Sequence, residues 1–184
     1  MRLQPISRPD RQAGFSQVVD LLLMLGGVLA ILAVGYAIWH MWQGSFTVTK
    51  AATNVQHMAT DAQSSWSQQG DFQGINATSV INLHIPPKSM VHGNQIINAW
   101  NQPVSVNPYT LTTPNDAAEW VEPGVPESDC GKFVTSAASG FSRVIVGGTT
   151  VKDDLTGQAL SIAALANACS GGGTKTVHLI VGRQ

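Results

Sequence analysis

The sequence predicts an α+β protein, with one long N-terminal helix followed by a domain of short strands and two short helices. Three observations predict it. Residues 21–39 carry no charge, apolar residues then recur at helical spacing as far as Trp66, and beyond Gly70 the chain turns to Gly, Asn, Ser, Thr and Pro among short β-favouring runs. At 184 residues there is room for one domain with a core plus an extra segment. Charged residues make up only 11% and the net charge is −1, which argues against a nucleic-acid binder with a basic face.

Taken as a helix, the uncharged run LLLMLGGVLAILAVGYAIW is about 28 Å long, close to the ~30 Å hydrocarbon thickness of a bilayer. Arg2, Arg8 and Arg11 outnumber Asp10 before it, and the first Lys or Arg after it is Lys50. The positive-inside rule then keeps the N-terminus in the cytoplasm and sends everything after residue 39 outside. A removable secretory signal is one competing reading, with small-x-small sites such as Ala33-Val34-Gly35, but the apolar run is longer than a signal core. A permanent ordinary anchor is the other. Three residues fit neither well: Gly14 directly before Phe15, where a basic polar leader meets the apolar helix, and Asp20 just inside the apolar segment. An acid at mid-membrane costs about 2.5–3.5 kcal/mol, less near the interface, and normally has a partner. Cutting between Gly14 and Phe15 would supply one, the new α-amino group of Phe15.

Helical spacing continues through Phe46, Ala51, Ala52, Val55, Met58, Ala59, Ala62 and Trp66, so the helix is expected to run on, amphipathic, to about residue 68, where Gly70 stops it. Gly26, Gly27, Gly35 and Gly44 weaken a helix in water but allow close helix approach, and Gly44 with Ser45 is either a point of bending or a tolerated linker. Residues 104–111, 142–146 and 176–181 read as strands. Between them, Pro126, Glu127 and Asp129 start a helix whose apolar face is Cys130, Phe133, Val134 and Ala137; a second helix is expected from about residue 156 to Gly171-Gly172-Gly173. Cys130 and Cys169 lack metal-ligand spacing, and in an exported domain they read as one disulfide. Closing a loop of about 40 residues stabilises a fold by roughly 4 kcal/mol in the chain-entropy model.

Chemistry is scarce. His40, His57, His84, His92 and His178 form no paired ligand motif, so neither a metal nor a cofactor is expected. Asp153-Asp154 and Asp116 read as solvated loop acids, and Ser139-Gly140 and Gly147-Gly148-Thr149-Thr150 as turns without a phosphate-loop Lys. Trp100 and Trp120 read as buried aromatics before binding platforms.

The stretch QAG-FSQVVDLLLMLGGVLAILAVGYAIW resembles the start of type IV prepilins, whose leader ends in Gly, whose mature chain begins with Phe or Met, and whose helix carries an early acid. It departs in one place. The family's acid is the fifth mature residue; here the fifth is Val19 and the acid is Asp20, the sixth, turned by about 100° around the helix. Later segments resemble the b type: INAWNQPVSV looks like its Asn-x-Trp turn entering a strand, and ACSGGGTKTVHLIV like its late Cys and final strand. The thin-pilus major subunits encoded by conjugative plasmids are the nearest in pattern.

The resemblance implies a type IV pilin fold, with the long helix packed on an antiparallel sheet and a disulfide-closed C-terminal region. It divides the chain into a leader at 1–14, a helix at 15–68 and a globular domain at 69–184. The implied protein is no enzyme but a filament subunit stored in the inner membrane, cut by prepilin peptidase, then polymerised through its helix by the inner-membrane assembly machinery for attachment or cell-cell contact. Its partners are other copies of itself, those assembly proteins and membrane lipid, with methylation among the expected modifications. Asp20 is expected to pair with the Phe15 amine of a neighbouring subunit. Alternatives are a minor pilin, a secretion pseudopilin, or a membrane-anchored periplasmic binding protein or enzyme, for which no convergent site is visible.

Overall fold

The structure, a computed structural model, describes the backbone of residues 13–183 and the side chains of residues 22–36 and 47–183. Most of the expected leader therefore lies outside the described residues, as do the side chains of Phe15 and Asp20. The chain divides into two compact units, Met1–Gly44 and Ser45–Gln184.

Helix α1, Ala13–Trp66, contributes to both. In the first unit, residues 22–36 present apolar side chains on every side of the helix, and Leu22, Met24, Leu29, Ile31 and Val34 are each 60% or more exposed. A helix apolar all round needs a non-aqueous surrounding, lipid or other protein. Among the described residues no helix is long and apolar enough to cross a membrane, and the run 21–39 extends past them at both ends.

In the second unit, α1 buries Val48, Ala51, Ala52, Val55, Met58, Ala59, Ala62 and Trp66, the 3–4 spacing of one helical face. Phe46 lies outside the described side chains. The helix stops at Trp66, and Gly70 follows with φ +87°, a conformation open to glycine.

The buried face of α1 shares one core with a seven-stranded sheet. Its strands are β1 Val91–His92, β2 Gln95–Ile97, β3 Pro103–Tyr109, β4 Ala117–Pro126, β5 Arg143–Val146, β6 Thr149–Asp153 and β7 Thr174–Gly182. Their order is β1-β2-β3-β4-β7-β5-β6, antiparallel throughout, so the last strand of the chain inserts inside the sheet, between β4 and β5. One register row runs Val106, Trp120, Leu179, Val144, all buried. Three short helices complete the unit: α2 Ala77–Asn82, α3 Glu127–Ala137 and α4 Ile162–Cys169.

Three expectations need correction. Of the four residues 147–150 read as a turn, only Gly147-Gly148 turns, and Thr149 and Thr150 begin β6 because they pair with Val146 and Ile145. The second short helix starts at Ile162, not near 156: Asp154–Thr156 is a single 3-10 turn ended by Gly157 at φ +71°, and Ser161 then caps α4 by accepting from the Ala164 N–H. Asp153 is no solvated loop acid. It ends β6, is buried, and its carboxylate lies 2.9 Å from Arg143. That pairing raises the Arg143 guanidinium above its ordinary value, chiefly through the Asp153 hydrogen bond. Asp154, by contrast, is exposed and sits 3.1 Å from Lys152.

Candidate functional site

Cys130 on α3 and Cys169 at the end of α4 form a disulfide with Cα atoms 5.7 Å apart. The glycine turn beyond α4 is fastened to the start of α3, because Gly172 N–H donates to Glu127 Oε2 (2.7 Å) and Glu127 N–H donates to Gly173 O (3.2 Å). Gly171, Gly172 and Gly173 all have φ between +70° and +93°, so the chain can turn back sharply into β7 only with residues lacking Cβ. Two short helices and the inner strand β7 are thereby closed into one frame.

The Asn-x-Trp segment is a second fixed point. Asn98, 7% exposed, accepts through Oδ1 from the N–H groups of Trp100 (3.0 Å) and Gln102 (2.9 Å), and donates through Nδ2 to Pro123 O (2.8 Å). It folds its own turn and ties it to β4. Trp100 Nε1 donates to Asp129 Oδ2 (3.0 Å), and its ring meets Phe133 edge-on at 5.0 Å. Trp120 is fully buried in the sheet. Neither tryptophan is therefore a free stacking platform.

Glu122 lies below that turn. On β4 it follows Trp120 by two residues, so both side chains point to the same, helix-facing side of the sheet. It is 3% exposed, and among the described residues no ion-pair partner reaches it. Desolvation pushes its carboxyl up to about 7, against the opposing effect of a hydrogen bond from the Asn98 side chain. Glu122 lines a pocket of about 300 Å³ together with Lys50 and Asn54 of α1, and with Met90, Ile97 and Asn98.

Asp116 behaves oppositely. Burial works to raise its carboxyl, but the Thr112 hydroxyl and the N–H groups of Leu111, Thr113 and Thr112 all donate to it and hold it well below the usual carboxylate range. It is a turn-forming acid. His178 Nδ1 sits 2.8 Å from Glu119 Oε1, and among the described residues no group of three His, Cys, Asp or Glu side chains could hold a metal. Sequence reasoning missed Glu122. The signal for it was the two-residue step from Trp120, readable only once residues 117–126 are taken as a strand.

The family described as PilS N terminal matches residues 45–182. Among curated proteins no sequence matches. Among solved structures, TcpA, a type IV pilin from Vibrio cholerae El Tor biotype, is similar with a TM-score of 0.56 and 16% identity, over 75% of this chain and 98% of that one. A type IV b pilin from Salmonella typhi is similar with a TM-score of 0.57 and 18% identity, over 73% of this chain and 99% of that one. The helix-spined antiparallel sheet is thus the type IV pilin fold, with the Cys130–Cys169 bond closing its C-terminal region. The chain belongs to the PilS N-terminal family and is a type IVb pilin, a structural subunit that self-polymerises into a pilus at the cell surface.

Proposed function

We propose that this subunit is made as a precursor, held in the inner membrane by residues 21–39 with its N-terminus in the cytoplasm, cut between Gly14 and Phe15 by prepilin peptidase, and passed to the inner-membrane assembly machinery. The observation that carries this is the all-round apolar surface of residues 22–36, which water cannot solvate favourably. Lipid covers it before assembly, and neighbouring helices cover it in the filament. Storage in lipid leaves the second unit free to fold outside, where its disulfide forms. Cleavage supplies the Phe15 amine, and pairing it with Asp20 of a neighbour neutralises an acid that an apolar bundle would otherwise hold unpaired. The division into leader 1–14, helix 15–68 and domain 69–184 describes this life cycle. Attachment or cell-cell contact is the role such a filament serves.

N-terminal analysis of the subunit from sheared filaments tests the processing. A chain beginning at Phe15 is expected; one beginning at Met1, or at any residue after 15, removes the cleavage proposal.

A further inference from the structure

We propose that the pocket over Glu122 receives a cationic side chain, of lysine or arginine type, from a second copy of this chain in the filament; the inference rests on the reading of the chain as a polymerising subunit. The floor of the pocket is a carboxyl at 3% exposure, on a sheet face that carries Trp120, Leu179 and Val177 beside it. Among the described residues, the side chain that lowers its carboxyl is that of Asn98, which is neutral and already donates to Pro123 O. Apolar residues of similar volume would pack this position more favourably in the isolated subunit, since burying a carboxyl with an incomplete partner set is unfavourable. An acid kept there fits a second state in which the partner arrives.

The pocket suits the proposed guest. At about 300 Å³ it exceeds what one long side chain needs, and Met90, Ala51 and Ile97 line it as an apolar sleeve for an alkyl stem. Its α1 wall, Lys50 and Asn54, follows in sequence the apolar stretch that polymerisation must cover. The chain also supplies the guest: Lys88, Lys132 and Arg183 are exposed and have no ion-pair partner among the described residues. Of the elements around Glu122, α1 brings Lys50, the one other charged residue lining the pocket, and it lies beyond ion-pair distance. The turn before β1, the Asn98 turn and β4 bring no further charge to the lining.

A cation entering the pocket favours the ionised carboxylate, so the contact should strengthen as pH rises through about 7 and weaken below it. The subunit alone has the opposite dependence, because its buried carboxyl prefers to stay protonated. Filaments and monomers should therefore respond to acid in opposite senses.

The test compares full-length wild type and Glu122→Gln in cells that assemble the filament. Glu122→Gln subunits should melt at pH 8 no lower than wild type, yet yield about tenfold fewer sheared filaments, as expected when one partner of a buried charge pair is lost. The filaments that remain should lose the wild-type weakening between pH 8 and pH 5. A photo-crosslinking residue in place of Ser89, exposed at the pocket rim, should in wild-type filaments join a Lys- or Arg-bearing peptide of a second copy. Normal filament yield from Glu122→Gln, or crosslinks confined to the same chain's Lys50 or to a different protein, would overturn the proposal. Absence of wild-type filaments would remove the polymer reading itself, and this inference with it.

Discussion

Two stretches of one helix meet opposite fates. Residues 22–36 and 47–66 of α1 are both rich in apolar side chains, but the first leaves Leu29 61% and Ile31 74% exposed, while the second holds Val55, Met58 and Ala62 at 0%. The difference lies in pattern more than in content. In the second stretch the large apolar residues keep to one face, and Gln56, Thr60, Gln63 and Ser64 occupy the rest, so a single sheet satisfies it. In the first stretch they encircle the helix, and no one-sided partner within the chain could cover them. On the proposed reading, what such a helix needs comes from outside, from lipid before assembly and from other copies in the filament.

Substitution at matched positions is the strongest way to break this comparison. Met58→Ala should destabilise the second unit by about 2–5 kcal/mol, because it opens a cavity in a filled core. Leu29→Ala should leave its melting temperature unchanged, since that side chain contributes nothing to that core. Thermal unfolding of both variants in the same detergent checks the contrast; equal losses would mean the two stretches do not differ as described.

The disulfide sharpens the same boundary. Converting Cys130 and Cys169 to Ser together should destabilise the second unit by roughly 4 kcal/mol in the chain-entropy model, and lower filament yield through loss of folded subunit. Membrane retention should be unaffected. Fractionation and denaturant melts of the double variant measure the two effects separately.

Glu122 provides the smaller, pH-dependent test within the second unit. Its carboxyl is raised from 4.5 to about 7, so its contribution to stability is fully present below about pH 4.5 and is lost as pH rises through 7. The span of that change is at most about 3 kcal/mol. Asp116 acts in the other sense: held low, it stabilises the fold above its unfolded value of 3.8, and that support is lost only in stronger acid. Subunit stability should therefore rise from pH 8 to pH 5, and Glu122→Gln should flatten the rise while Asp116→Asn does not.

Much of the frame was readable in the residues. The apolar face of α1 from Ala51 to Trp66 was visible as periodicity, and the face of α3, Cys130, Phe133, Val134 and Ala137, is buried as its spacing predicts. Strand β4 was not visible, because Pro123-Gly124-Val125-Pro126 reads as a loop. In the structure a register shift between Glu122 and Val125 absorbs Pro123 and Gly124, the latter at φ +74°, and the ladder resumes at Val125. Missing β4 meant missing Glu122, whose burial follows only from its place on that strand. Strand β6 was hidden in a similar way: Gly147-Gly148 is indeed a turn, with φ of +54° and +85°, but Thr149 begins the return strand that carries Asp153 to Arg143. Local chemistry announces turns well, whereas the partner of a short strand is set by distant residues.

The central claim is that residues 22–36 are covered by neighbouring copies while the second unit keeps its own core. Thiol labelling of Leu29→Cys tests it most directly, compared between detergent-dispersed subunits and sheared filaments, with Ser64→Cys on the exposed side of α1 in the second unit as reference. Labelling at position 29 should slow by at least about tenfold on assembly, with the buried environment closing access to the thiol. Equal labelling rates at position 29 in filaments and in dispersed subunits would contradict the account.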